Sequence, residues 1–158
     1  MNRFKSFYNG QKERLFGYLL KMTGDYYLAA DFMQESFTRY LERYKDREPS
    51  TSLLFTIARN LVIDNSRRQG SGEPYEETRN ESGIDQERML MVREEYRRVL
   101  AAMQKLPGKD RDILSLVVSS GLSYGEIAKI AGISEANLKV RVHRCRLKLR
   151  KLLETGDP

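Results

Sequence analysis

The 158-residue chain has no tryptophan, a single cysteine and a single histidine. One cysteine, Cys145, excludes an internal disulfide framework, and the protein is expected to work in a reducing compartment, the cytoplasm. The lone His143 has no carboxylate at a ligand spacing, and Cys145 falls on the opposite, apolar side of the same helical pattern, so no metal site is expected. No glycine loop of the phosphate-cradling kind is present, nor any Cys/His pair in a nucleophile setting, so neither a cofactor nor catalysis is expected. No apolar run approaches the length that spans a bilayer, and residues 1–11 are polar and aromatic, unlike a secretory signal. No membrane insertion is expected, and no segment alternates with the period of a strand.

What the chain does have is charge, unevenly placed. Lys and Arg number 28 against 22 Asp and Glu, for a net charge of +6. The basic excess gathers near the C-terminus, where Lys139, Arg141, Arg144, Arg146, Lys148, Arg150 and Lys151 follow one another with no acid between them. Residues 73–95 carry the opposite bias. A basic helix behind an acidic connector fits a nucleic-acid binder, although charge alone does not separate DNA from RNA or an anionic membrane.

The basic helix follows a run with the local chemistry of a helix-turn-helix. Ser123 and Glu126 have the spacing of a capping box, Gly132 stands where the turn needs positive φ, and Ser134 is placed to cap the second helix. Small Ala128 permits close approach, with Ile127, Ile133 and Leu138 filling the space between the helices. In the second helix Leu138, Val142, Cys145, Leu149 and Leu152 recur at spacings of four and three, one apolar stripe. Glu135, Ala136, Asn137, Lys139, Val140, His143, Arg144, Arg146, Arg150 and Lys151 are left for solvent or a DNA groove. Leu147 falls off the stripe.

Between Arg67 and Gly83 the chain is rich in Gly, Ser and Glu and poor in large apolar residues, as flexible linkers are. The expected fold is therefore all-α: two small helical domains joined by a flexible linker, the C-terminal one containing the helix-turn-helix. The expected boundaries are 1–68, a linker at 69–84, and 85–158. Helices are expected over residues 11–22, from near Asp25 through Tyr44, from the Pro49-Ser50-Thr51-Ser52 break through Asp64, over 85–105, and over 109–119.

Three passages, in order, resemble the bacterial RNA polymerase sigma factors of the extracytoplasmic-function (ECF) type. They are Ala30-Asp31-Phe32-Met33-Gln34-Glu35-Ser36-Phe37, Phe55-Thr56-Ile57-Ala58-Arg59-Asn60-Leu61-Val62-Ile63-Asp64, and the stretch from Leu122 to Leu153. The resemblance implies a sigma factor that binds core RNA polymerase and directs initiation at promoter DNA, with an anti-sigma factor as a further partner in many members. It implies polymerase docking through Asp31, Gln34, Glu35 and Phe37. For the downstream (−10) element it implies Tyr44 and Asn60, the one offering an aromatic face and the other an amide to an unpaired base. For the upstream (−35) element it implies Lys139, Val140, His143 and Arg144 near bases, Asn137 at a base or a phosphate, and Tyr124 and Arg146, joined by Arg111, at phosphates. The family usually carries a tryptophan where this chain has Leu53, which replaces core volume but not indole chemistry.

Two DNA-reading modules make energetic sense together. A good base contact discriminates by about 1–3 kcal/mol, whereas specific recognition needs roughly 4–10 kcal/mol over random DNA. One helix-turn-helix is marginal, and tethering it to a second module supplies an effective concentration on the order of mM. Two rivals remain at this stage: a recombinase or transposase subunit, and a stand-alone regulator that dimerises through its N-terminal half.

Overall fold

The structure, a computed structural model, describes residues 2–70 and 94–155. Every element among them is helical. Residues 69 and 70, expected to open the linker, are instead the last of a helix that starts at Thr51; the rest of the expected linker, and the first part of the helix expected from residue 85, lie outside the described residues.

The first helix, α1 (Asn2–Thr23), begins nine residues before its expected start. The reason is tertiary. Phe4, Phe7 and Tyr8 fall one helical turn apart and pack on the next helix, Phe4 meeting Phe37 edge-on at 6.3 Å and Phe7 stacking on Tyr40 at 5.2 Å. Further along, Leu15, Tyr18, Leu19 and Met22 make the buried stripe. Gly24 ends the helix at φ 68, and Asp25 caps α2 (Tyr26–Tyr44) by accepting the Leu28 N–H at 3.1 Å. After Pro49, Ser50 caps α3 (Thr51–Gly70): its hydroxyl accepts the Leu53 N–H, while its own N–H donates to the Tyr40 hydroxyl at 2.8 Å. The loop at 45–50 is thereby pinned to α2.

In the C-terminal half, α4 (Glu94–Lys105) and α5 (Gly108–Ser119) meet at Leu106-Pro107. The helix-turn-helix is α6 (Tyr124–Ala131) and α7 (Glu135–Thr155). Arg111 holds the α4–α5 corner together, donating to the carbonyls of Met103, Gln104 and Leu106 and, across to α1, of Met22. Those four carbonyls occupy four of its five N–H donors, so its main role in the fold is to tie this corner to α1.

The all-α, two-unit architecture is as expected, but the units do not stand apart. One hydrophobic cluster contains Leu15, Tyr18 and Leu19 of α1, Phe37 and Tyr40 of α2, Leu54 and Phe55 of α3, Leu116 of α5, Ile127 of α6 and Leu138 of α7. A smaller cluster of Met103, Leu106, Leu114, Cys145 and Leu152 closes the far end of the C-terminal half.

Candidate nucleic-acid interface

The helix-turn-helix is built as its sequence demands. Ser123 Oγ accepts the Glu126 N–H at 3.1 Å, and Glu126 Oε1 accepts the Ser123 N–H at 3.0 Å, completing the capping box. Gly132 adopts φ 74, Ile133 N–H bonds the Ala128 carbonyl at 3.1 Å, and Ser134 Oγ receives the Asn137 N–H at 3.0 Å. These bonds fix the second helix against the first. The Glu126 carboxyl is held below the usual carboxylate range, first by the Ser123 N–H and then by the hydroxyls of Ser123 and Ser52.

Helix α7 is about 31 Å long at 1.5 Å per residue, and its two sides divide cleanly. Leu138, Val142, Cys145 and Leu152 are buried, and Leu149 is half-buried. Asn137, Lys139, His143, Arg144 and Arg146 are exposed, as is Val140 at 49%. Leu147, which had no place in the stripe, lies on that outward side with 48% of its surface exposed. Not every base on the helix is available to a ligand. Asp110 of α5, itself buried, draws Lys148 Nζ to 2.7 Å and Arg141 to 3.8 Å. Lys139 leans toward Glu135 at 3.8 Å. Burial, then the charge of Asp110, pushes the Cys145 thiol up to about 11, so this cysteine is a packed, protonated one. Tyr124 is half-buried against the main core, with part of its side chain left outside.

The N-terminal residues fall into two groups. On α2, Asp31, Gln34 and Glu35 share one exposed face, and Glu35 accepts from Arg39 at 2.8 Å. Phe37 departs from that set. It is 5% exposed, held between Phe4 and Tyr8, the latter with ring centroids 4.6 Å apart. Its spacing from Asp31 puts it on the inward side of the helix, so it supports the polar face from beneath rather than forming it. Tyr44 is half-buried at the end of α2, its ring 5.9 Å from that of Tyr40 and covered by the Arg47 guanidinium at 5.4 Å. Asn60 is exposed on α3, nine residues past its start and so roughly 14 Å along the axis. Leu53 packs half-buried against the core, filling the volume expected of it.

Two features were not foreseen from sequence. Around Tyr44 an open groove is lined by Arg3, Phe4, Phe7, Tyr40, Arg47 and Pro49, an aromatic and cationic surface assembled from α1, α2 and the 45–50 loop. Aromatic faces beside guanidinium groups suit unpaired bases. The second is a polar cluster between the halves. Asp112 accepts from the Tyr18 hydroxyl at 2.8 Å and from Arg59 Nε at 2.7 Å. Burial, and then the Asp112 charge, raises the Tyr18 hydroxyl well above its ordinary value. The partners lie 53 and 94 residues apart, so no local spacing announced them.

Comparison with known proteins agrees with this geometry. The family described as Sigma-70 region 2 matches residues 7–72, and Sigma-70, region 4 matches residues 96–149. The chain is 33% identical over 147 residues to the ECF RNA polymerase sigma factor SigM of Bacillus subtilis, covering 90% of each chain. It is 31% identical over 139 residues to ECF RNA polymerase sigma factor EcfG of Rhodopseudomonas palustris, covering 86% of this chain and 77% of that one. In fold it resembles the sigma factor RpoE, solved in complex with the anti-sigma factor NepR from Bartonella quintana (TM-score 0.76, 20% identity, 99% of this chain and 100% of that one). It likewise resembles CnrH, solved with the cytosolic domain of CnrY (TM-score 0.72, 23% identity, 98% and 89%).

Proposed function

The chain belongs to the sigma-70 family, as an RNA polymerase sigma factor of the ECF type, and from that premise we propose how its residues divide the work. As a sigma factor it binds core RNA polymerase and directs promoter-specific initiation, reading the −10 element with its N-terminal unit and the −35 element with its helix-turn-helix. The family is one of initiation factors and not of enzymes.

We take residues 1–68 as the polymerase-docking and −10 unit, 69–84 as the linker and 85–158 as the −35 unit. In the −35 unit the outward side of α7 enters the major groove. Val140 offers its methyls to a thymine, Arg144 its fork to a guanine, and Asn137, Lys139 and His143 the remaining base-edge contacts. Tyr124 and Arg146 hold phosphates at the groove margins. The observation that carries this reading is the split of α7, with Leu138, Val142 and Cys145 buried while Val140 and Arg144 stand exposed. In the −10 unit Tyr44 and the rings beside it supply the stacking face for an unpaired base, and Asn60 contacts the strand further along α3. The exposed Asp31, Gln34 and Glu35 form the polymerase-docking face, with Phe37 as its internal support.

An anti-sigma factor is a further partner we infer, supported by the likeness to RpoE in its anti-sigma complex. Among the described residues no helix is long and apolar enough to cross a membrane, and we place the protein in the cytoplasm with the polymerase. The test is transcription in vitro with purified core polymerase over a promoter library. The chain should select a defined start site, Asp31→Arg should lose assembly with core, and Arg144→Ala should lose selectivity at −35. Initiation that ignores all of these changes would overturn the division of labour.

A further inference from the structure

Behind the outward side of α7 lies an inward set of charges that promoter reading leaves unused. Asp110, in the first turn of α5, is 9% exposed, and the helix dipole favours a carboxylate there. Three side chains of α7 converge on it. Lys148 Nζ donates to Oδ2 at 2.7 Å, Arg141 Nη2 lies 3.8 Å from Oδ1, and the Cys145 thiol donates to the same carboxylate. Their spacings of four and three put them on one line along α7, where it packs on α5.

The apolar stripe alone does not fix the rotation of α7 about its own axis. Apolar burial is non-directional, and Leu138, Val142 and Leu152 offer α5 and α6 no angular preference of their own. A carboxylate gripped from two helical turns is directional, because Arg141 and Lys148 approach different oxygens from points about 10 Å apart along the axis. The outward side chains are sensitive to that angle. A roll of about 20° at a radius of about 6 Å moves them by about 2 Å, more than a base-edge hydrogen bond survives.

We propose that Asp110 is a positioning residue for −35 recognition: it sets the roll of α7, and so the aim of Val140 and Arg144, while holding Arg141 and Lys148 away from the phosphates. The proposal rests on the −35 reading and adds to it a determinant on α5, outside the helix-turn-helix. Of the seven Lys and Arg residues from Lys139 to Lys151, these two then serve the fold and not the DNA. Exchanging a buried ionic group for an apolar one of similar volume is often neutral for stability. Both cations keep a path to water, so freeing them strands no charge. Losing Asp110 therefore alters aim more than folding.

The test measures binding of the polymerase complex to two DNAs, one with its own −35 element and one altered there, well below the melting temperature of each variant. The readout is the ratio of the two affinities, which a merely weakened fold would leave alone. Asp110→Leu fills the site and Asp110→Ala empties it; in both the ratio should fall at least threefold, through weaker binding to the proper element. A smaller fall in either folded variant would overturn the proposal. Leu152→Ala loosens the same helix without touching Asp110 and should keep its ratio; a loss equal to that of Asp110→Leu would mean that any loosening suffices, and would overturn it too. In Lys148→Gln the slope of log affinity against log salt should stay at its wild-type value, whereas losing a phosphate contact reduces it by about one. That reduction would show Lys148 on the DNA and equally sink the idea. A wild-type complex with no preference between the two DNAs would refute the −35 reading instead, which keeps the two failures distinct.

Discussion

At the scale of single residues, fewer than two helical turns separate side chains with opposite duties. Phe37 and Asp31 belong to the same helix and the same family-like run, Ala30 to Phe37, yet Phe37 is buried between Phe4 and Tyr8 while Asp31 is exposed. Phe37→Ala should therefore act through stability. Emptying a buried aromatic site costs about 3–5 kcal/mol, a fall of roughly 10 °C in melting temperature for a chain of this size, read by circular dichroism. Asp31→Arg, at an exposed position, should cost no more than about 1 kcal/mol of stability and lower the yield of polymerase complex in size-exclusion chromatography. Arg144→Ala belongs with the second kind. It should weaken binding of the polymerase complex to its own −35 element by about five- to a hundred-fold, the equivalent of 1–3 kcal/mol, with little change on DNA altered at that element. Equal loss on both DNAs would make Arg144 a phosphate contact. Cys145 carries a pH signature. Its folded thiol titrates at about 11, against about 8.5 in an unfolded chain. Between those values the unfolded state binds fewer protons, so stability should fall as pH rises from 8.5 toward 11. Cys145→Ala should flatten that part of the melting-temperature profile.

At the scale of elements, legibility followed the range of the interactions that define each one. The helix-turn-helix was readable residue by residue because its determinants are local: a capping box three residues long, a glycine at the turn, a serine cap, and a stripe of period 3.6. The structure places Ser123, Glu126, Gly132 and Ser134 in those roles. The start of α1 was not readable because its helicity depends on Phe4, Phe7 and Tyr8 meeting α2, more than twenty-five residues away. The inward aim of Phe37 and the confinement of Arg111 were missed for the same reason, since family position does not tell a surface from its support. Gly132→Ala tests the local logic on its own. Its φ is 74, and a methyl there would meet nothing within 4 Å, so only backbone strain is at stake. The change should cost about 1–2 kcal/mol and lower the melting temperature by a few degrees without altering polymerase docking through α2. Loss of −35 recognition should exceed the loss of stability, because the turn sets the angle at which α7 meets the groove.

At the scale of the molecule, the order of the two units could be read from the chain but not how they pack, since their joints span 53 to 98 residues: Arg59 with Asp112, Tyr18 with Asp112, Lys21 with Ser119. Two units tethered by a linker imply two independent melting events. One hydrophobic cluster running from Leu15 through Phe55 and Leu116 to Leu138 implies a single event. Calorimetry of the free chain separates these cases. A cooperative body of 158 residues should absorb about 110 kcal/mol near 60 °C in one transition, with calorimetric and van't Hoff enthalpies equal. Independent units would give a van't Hoff enthalpy near half of the calorimetric one. Asp112→Ala sharpens the contrast, since it strands the Tyr18 hydroxyl and the Arg59 guanidinium at the joint while leaving each unit's own helices intact. Removing one partner from such a partly buried pair costs on the order of 3 kcal/mol, enough to uncouple the units. The variant should melt in two steps, the first at a lower temperature than any in wild type. A single step at an unchanged temperature would mean that Asp112 contributes nothing to holding the halves together, and that the apolar cluster alone couples them.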